Sequence, residues 1–471
     1  MTDTIAFQSE AAERRRDRRA DGRAVRDRLP LADLAVLPPV DRDPIATLEE
    51  QAKTRVPRLI ALRHGRMAAS PFAFYRGAAA LMADDLRAGP DTGLVTWLCG
   101  DAHLSNVGAY ASPERTLVLD LNDFDETSKG PFEWDVKRMA ASFEIAGRTR
   151  GFDEATRRGI VADLARAYAE AARDASEIPT LELFTAHVDV QDVLSRIAGR
   201  LSPTATKRLR KSVAKARTRN SRQAAASLAD RVDGLPRFRS EPPLLVSLDD
   251  VAAEFGVSTP DATRRMEDIL AAYIATLPPE RKRILERFRL VDAAMKVVGV
   301  GSVGTRAWLA LLVGNGPKDV LVLQAKEAQR SVLDDASQPS VYPNEGERVV
   351  HGQRIMQALG DPLLGWTRAE GLDGVERDFY LRQFRDWKGG ASTETMEAET
   401  MTVYAEYCGL VLARAHARGT DAARISGYLG RSKEFGEALA EFSVAYADRT
   451  ELDHARLLQA IADGRLEAVA E

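Results

Sequence analysis

The stretch Ala294–Lys326, AMKVVGVGSVGTRAWLALLVGNGPKDVLVLQAK, decides how this chain folds. Residues 294–298 read as a short apolar strand that runs into Gly299-Val300-Gly301-Ser302-Val303-Gly304. A lone GxGxxG pattern is weak evidence, and the residues after it discriminate. A dinucleotide-binding fold needs a helix directly after the glycines. Here Trp308–Val313 is a second apolar run, Gly314-Asn315-Gly316-Pro317 is a turn, and Val320–Ala325 is a third run ending at Lys326. Strand, glycine loop, strand, turn, strand predicts an antiparallel sheet.

Far upstream, Cys99–Glu126, CGDAHLSNVGAYASPERTLVLDLNDFDE, concentrates the groups that carry chemistry. The apolar run 94–98 reads as a buried strand that stops at Gly100, so Asp101 emerges at a strand end, where functional side chains are displayed. Asn106 follows five positions later. A second apolar run, Thr116–Leu121, delivers Asn122-Asp123-Phe124-Asp125. Phosphoryl transfer needs a carboxylate to orient and deprotonate the acceptor hydroxyl, and oxygen ligands for Mg²⁺, which takes one or two carboxylates, amides, water and substrate phosphates. Asp101 is the candidate base, with Asn106, Asp123 and Asp125 as candidate metal ligands. Asp120 competes with the last two. His103 is a candidate in the same loop, as its brace. Asp, Asn and Gly at strand ends also form plain capped loops; the joint pattern favours chemistry.

Order and spacing extend this reading. Asp101, Asn106 and Asp123-Phe124 resemble the base, metal-binding Asn and D-F-G Asp of kinases. Gly100-Asp101-Ala102-His103-Leu104-Ser105-Asn106 resembles the G-D-x-H-x-x-N loop of aminoglycoside and choline phosphotransferases, and Trp134-Asp135 resembles the pair that braces that loop. The glycine hairpin resembles the phosphate-covering loop of kinases, which implies nucleotide binding by Gly299, Gly301, Ser302 and Gly304. Leu323-Gln324-Ala325-Lys326 resembles V-A-I-K, which implies that Lys326 meets the α and β phosphates. The helix read at 344–358 offers Glu345 or Glu347 as its partner, with Glu347 favoured, although Arg348, Gln353 and Arg354 share that helix. Tyr404–Arg418 resembles the helix directly ahead of the catalytic loop in small-molecule kinases. From Ser70-Pro71-Phe72-Ala73-Phe74-Tyr75-Arg76 through these motifs to Val349-Val350-His351-Gly352-Gln353-Arg354, the chain resembles a bacterial family of unknown function grouped with kinase-like folds. His351 departs from the acidic residue expected there.

These pieces stand in rotated order. Ile45–Leu86 is helical in pattern, and no strand-like alternation precedes Leu94, so no nucleotide lobe precedes the catalytic loop. Helices continue from Glu133 to about Ala175 and, punctuated by Pro242-Pro243 and Pro260, to about Phe288. Glu376–Trp387 reads as a strand leading to a hinge at Lys388-Gly389-Gly390. The expectation is an α+β, protein-kinase-like two-lobed fold with circularly permuted order. It comprises an Arg-rich arm and linker (1–45), a helical catalytic lobe (46–290), a β-rich nucleotide lobe (291–390), and C-terminal helices packing back on the catalytic lobe (391–471). Permutation is physically accessible because chain termini commonly lie close together at a surface.

Composition narrows the function. Charged residues make up 29% and hydrophobic ones 45% of the 471 residues, and a net charge of −4 gives no drive toward nucleic acid or anionic membrane. Two cysteines and six scattered histidines exclude a disulfide scaffold and a zinc cluster. No leader-like or spanning apolar run occurs, so a cytoplasmic location is expected. The basic segments 11–28 and 205–222 read as solvated, the second also as a docking surface for an acidic substrate; they lack the interleaved aromatics of a nucleic-acid binder. The expected activity is ATP- and Mg²⁺-dependent phosphotransfer to a hydroxyl-bearing acceptor, a small molecule rather than a protein. A nucleotide-binding pseudokinase or a nucleotidyl transferase on the same fold is the alternative.

Overall fold

The computed structural model describes residues 2–297, 299–316, 318–334, 340–431 and 433–469, with side chains from residue 13 onward. Val298 of the expected first strand and Pro317 of the expected turn lie outside the described residues.

Residues 95–131 carry four short strands. β1 (Val95–Leu98) pairs antiparallel with β4 (Ser128–Pro131), and β2 (Val107–Ala111) with β3 (Leu117–Leu121), so two small ladders hold the segments 99–106 and 122–127 between them. Gly100 makes this possible, because it adopts φ +85° and a Cβ there would lie 2.1 Å from the Glu126 carbonyl oxygen.

The second centre is a six-stranded antiparallel sheet. After a hairpin of β5 (Ala229–Val232) and β6 (Leu235–Phe238), β7 (Leu245–Ser247), β8 (Arg289–Lys296), β9 (Ala307–Val313), β10 (Val320–Ala328), β11 (Gly365–Glu370) and β12 (Glu376–Gln383) assemble in the order β11-β12-β10-β9-β8-β7. No helix follows the glycines, as the apolar pattern requires. β10 is central, and its side chains alternate. Leu321, Leu323 and Ala325 pack with Tyr273 of the Thr259–Ala275 helix, and Val322 packs on the other face with Ala224 and Phe238. That alternation sends Gln324 and Lys326 to the face of Val322, into a cleft between the sheet and the acidic segments.

Two expectations require correction. The stretch up to Phe288 was expected to be helical, yet it contributes the β5–β6 hairpin and the edge strand β7. The hairpin turns at Asp233-Gly234, both at positive φ (51° and 79°), which is the Asp-Gly hairpin signal. The Arg-rich segment was expected to be a solvated arm. Instead Thr2–Arg28 is one helix docked on Ala422–Leu429, where Val25 is buried, Arg19 pairs with Glu177 at 2.8 Å and Arg18 pairs with Asp421.

Helices Phe132–Thr149, Glu154–Ala175, Ala398–Gly419 and Glu434–Ala462 share one apolar core that extends to Val107, Leu121 and Phe124 beside the acidic segments. The end of Ala398–Gly419 abuts β1. Thr420 Oγ1 donates to the Val95 carbonyl at 3.0 Å, and a Cβ on Gly419 would lie 3.0 Å from that of Trp97. Between β12 and this helix, the two residues of β13 (Gly389–Gly390) pair with β2 and tie the sheet to the acidic region. Among the described residues, no helix is long and apolar enough to cross a membrane.

Candidate functional site

The segment after β1 is held rigidly. Asp135, in the first turn of Phe132–Thr149, accepts the backbone amides of Cys99 at 2.8 Å and Gly100 at 3.0 Å. His416 Nε2 lies 3.3 Å from the same carboxylate, and His416 Nδ1 meets the Tyr168 hydroxyl at 2.7 Å. The Tyr404 hydroxyl sits 2.7 Å from the carbonyls of Leu104 and Val107. These contacts, reaching from three helices, fix where Asp101 and Asn106 stand.

Asp101 Oδ1 accepts from Arg138 Nε at 2.6 Å, and Arg138 is buried, donating also to the Tyr75 carbonyl at 3.1 Å. Asp101 Oδ2 lies 3.7 Å from His103 Nε2. His103 Nδ1 accepts the Ser105 amide at 3.2 Å, and burial first, with Arg76 and Arg138 adding to it, lowers its pKa to about 4 against the pull of Asp101. His103 is therefore a neutral brace near pH 7 rather than a proton carrier. Asn106 Nδ2 donates to the Asp101 carbonyl at 2.9 Å, closing the loop on itself.

The two aspartates of the second segment take different positions. Asp125 is fully engaged: the Tyr380 hydroxyl donates to its Oδ1 at 2.5 Å, Lys326 Nζ contacts its Oδ2, and Ser302 Oγ lies 3.5 Å away. Asp123 Oδ1 is buried yet accepts no hydrogen bond, and it lies 3.7 Å from Lys326 Nζ. Burial would raise the Asp123 carboxyl, but Lys326, Arg382 and Lys388 outweigh it and hold it low. The same exchange works in reverse on Lys326, where the two aspartates overcome burial and keep the ammonium charged. Residues more than two hundred positions apart thus meet at one point. Among the described residues, no group of three or more His, Cys, Asp or Glu could hold a metal. The oxygen donors of the kind Mg²⁺ takes are the orphaned Asp123 oxygen and the Asn106 amide.

The glycine loop lies over this point. Gly299 and Gly304 take φ of +64° and +91°, and Arg66 donates to the Gly299 carbonyl at 2.6 Å. A Cβ on Gly301 would lie 3.0 Å from the Arg76 carbonyl, so loop and helix Pro71–Gly77 pack backbone to backbone. Arg76, Gly299 and Ser302 border a cleft of about 670 Å³ that Asn106, Asp123, Lys326 and the segment after β12 also line, a volume within the range of small-molecule sites.

Other expected residues lie elsewhere. Glu347 is not the partner of Lys326. It occupies the third position of its helix, its amide capped by Asn344 at 3.0 Å, and its carboxylate lies 3.7 Å from His351. Asp125 takes the lysine instead. Asp120 is buried outside the cleft, where burial, only partly offset by Arg418, raises its pKa to about 6. The sequence offers Arg348, on the helix of Glu347, as an alternative group to face the phosphates, but gives Arg76 no functional mark. Arg76 enters the cleft with its Nε buried and unpartnered, and Arg348 donates to the carbonyls of Asp125 (3.1 Å), Gln329 (2.7 Å) and Thr127. Nothing in the pattern of a helix separates an arginine that clamps from one that is solvated.

The chain belongs to a bacterial family described as "Uncharacterized protein conserved in bacteria (DUF2252)", whose sequence model matches residues 55–460. No curated protein and no solved structure matches the chain.

Proposed function

We propose that this member of that family is an ATP- and Mg²⁺-dependent phosphotransferase acting on the hydroxyl of a small molecule, built on a kinase-like arrangement in permuted order. The observation that carries the reading is Lys326, delivered by the centre of the sheet to Asp125 and to within 3.7 Å of Asp123, beneath a glycine loop. A buried lysine, an orphaned carboxylate and a glycine loop at one point match the demands of a triphosphate. Permutation is supported by the end of helix Ala398–Gly419 against β1, since a conventional chain would run from that helix into the segment carrying Asp101.

In this reading Asp123 and Asn106 hold Mg²⁺, which neutralises charge developing on the transferred group. Lys326 binds phosphate oxygens from the sheet, and Asp125 with Tyr380 fixes the ammonium. Asp101 Oδ2, the oxygen left by Arg138, accepts the acceptor's hydroxyl proton as the new O–P bond forms and ADP leaves. Arg138 orients Asp101, and His103, neutral, fixes the loop.

One observation favours a second reading. The ion pair of Asp101 with buried Arg138 makes Asp101 a structural partner, which suits a nucleotide-binding regulator without turnover. The deciding experiment assays ADP, AMP and pyrophosphate release over a panel of hydroxyl-bearing metabolites, with wild type and Asp101→Asn. The expected result is ADP release that falls by about 10²–10⁴ in the variant while ATP affinity stays within a few-fold. Release of AMP or pyrophosphate would instead assign nucleotidyl transfer. Nucleotide binding with no turnover would assign the regulator.

A further inference from the structure

The cleft also carries further cations, of which Lys388 faces Asp123. Arg219, just after helix Pro203–Thr218, and Arg385 and Lys388, in the segment after β12, line it, with Lys215 at the rim. They stand outside the recess formed by the glycine loop with Asp101, Asp123 and Asp125. None of the four forms an ion pair among the described residues. The acids beside them are already engaged: Arg115 binds Asp386 at 2.7 and 3.0 Å, and Asp361 accepts the amides of Leu363 at 2.8 Å and Gln383 at 2.6 Å.

The cations are held in place rather than left loose. Arg219 Nη1 donates to the Lys388 carbonyl at 2.9 Å, and the Trp387 amide donates to the Arg219 carbonyl at 2.6 Å. The Arg385 guanidinium lies 5.1 Å from the Phe384 ring centroid, on a backbone with φ 55°. Burial and then the facing charge of Arg219 hold the Arg385 guanidinium below its ordinary value. Holding like charges together disfavours the fold, and an oxyanion relieves the repulsion; planar guanidinium groups match phosphate and carboxylate oxygens in pairs.

We infer that Arg219 and Arg385 form a second anion site, separate from the grip on the nucleotide, that takes a phosphate or carboxylate group of the acceptor. The inference rests on the phosphotransferase reading and narrows its acceptor to a small anionic alcohol. The basic helix thereby finds a use: its C-terminal end helps to wall the site.

The test titrates the full-length protein, saturated with Mg²⁺ and the non-hydrolysable ATP analogue AMP-PNP, with inorganic phosphate and separately with acetate. Phosphate or acetate is expected to bind saturably to this loaded protein, and which of them binds distinguishes the two groups. Arg219→Gln/Arg385→Gln should weaken that binding at least about tenfold and leave AMP-PNP affinity within about threefold. Arg385→Gln alone serves where the double variant fails to fold. Displacement of the anion by AMP-PNP, equal loss of AMP-PNP affinity in the variant, or unchanged anion binding each overturns the second site. If wild type binds no AMP-PNP at all, the phosphotransferase reading itself falls, and this inference with it.

Discussion

Asp120 and Asp123 stand on one segment three residues apart, and the strand decides their chemistry. Asp123 lies past the end of β3, where Lys326, Arg382 and Lys388 keep it ionised. Asp120 lies within β3, buried, where Arg418, Arg414 and backbone amides only partly stabilise its charge. Its carboxyl titrates near 6 in the fold against 3.8 as its ordinary value, so ionising it opposes folding. That cost is complete above about pH 6, shrinks as pH falls, and is gone below about pH 4. Asp120→Asn is therefore expected to raise stability by up to about 3 kcal/mol at pH 8, with the gain vanishing by about pH 4. Thermal melts of both proteins across that range check this; a gain independent of pH, or a loss at pH 8, contradicts it. His103 behaves oppositely. Its folded-state pKa of about 4 lies below its ordinary 6.5, so protonating it costs the fold stability as pH drops through that window. His103→Gln should flatten the acid side of the same stability profile.

Helix Glu345–Met356 is the element that couples sheet to acidic segment. Its Gly352 passes so close that a Cβ would lie 2.4 Å from Thr127 Oγ1, and Arg348 reaches the carbonyls of Asp125 and Thr127 one turn earlier. In an isolated helix Gly→Ala gains about 1 kcal/mol. Here the sign reverses, because the methyl overpacks a contact with no room. Gly352→Ala should cost about 1–3 kcal/mol in urea unfolding and weaken nucleotide binding together; an unchanged or raised midpoint would refute the coupling. The N-terminal helix docks by the same device, with a Cβ on Gly427 reaching 2.3 Å from the Arg19 carbonyl. Gly427→Leu is expected to release that helix, read as new proteolytic cleavage within residues 13–28 while the core stays folded. Persistent protection of that segment would show that its ion pairs, not the close crossing, hold it.

Across the whole molecule, the sequence displays most plainly what period and spacing encode. Alternating apolar runs around a turn specify the β8-β9-β10 meander, and the lack of strands before Leu94 forces the large sheet to come late in the chain. The approach of Lys326 to the 123–125 acids is legible through the resemblance of both stretches to kinase motifs, whereas its ion pair with Asp125 is not. What stays hidden depends on tertiary neighbours. Three-residue β7 is a strand only because β8 offers it an edge. Glu347 looks like the partner of Lys326 by position on its helix, but its carboxylate lies beside His351, and Asp125 takes the lysine. The Arg-rich helix looks solvated because its docking surface is Gly22 and Val25, too small a stripe to show as amphipathic. The central claim is that Lys326 and Asp123 serve one Mg²⁺-bound triphosphate. Its most direct test is calorimetric titration with ATP, with and without Mg²⁺, on wild type, Lys326→Ala and Asp123→Asn. The expected result is saturable ATP binding that requires Mg²⁺ in wild type, weakens at least about tenfold in Lys326→Ala and loses its Mg²⁺ dependence in Asp123→Asn. ATP binding that is absent in wild type, or indifferent to both substitutions, would contradict it.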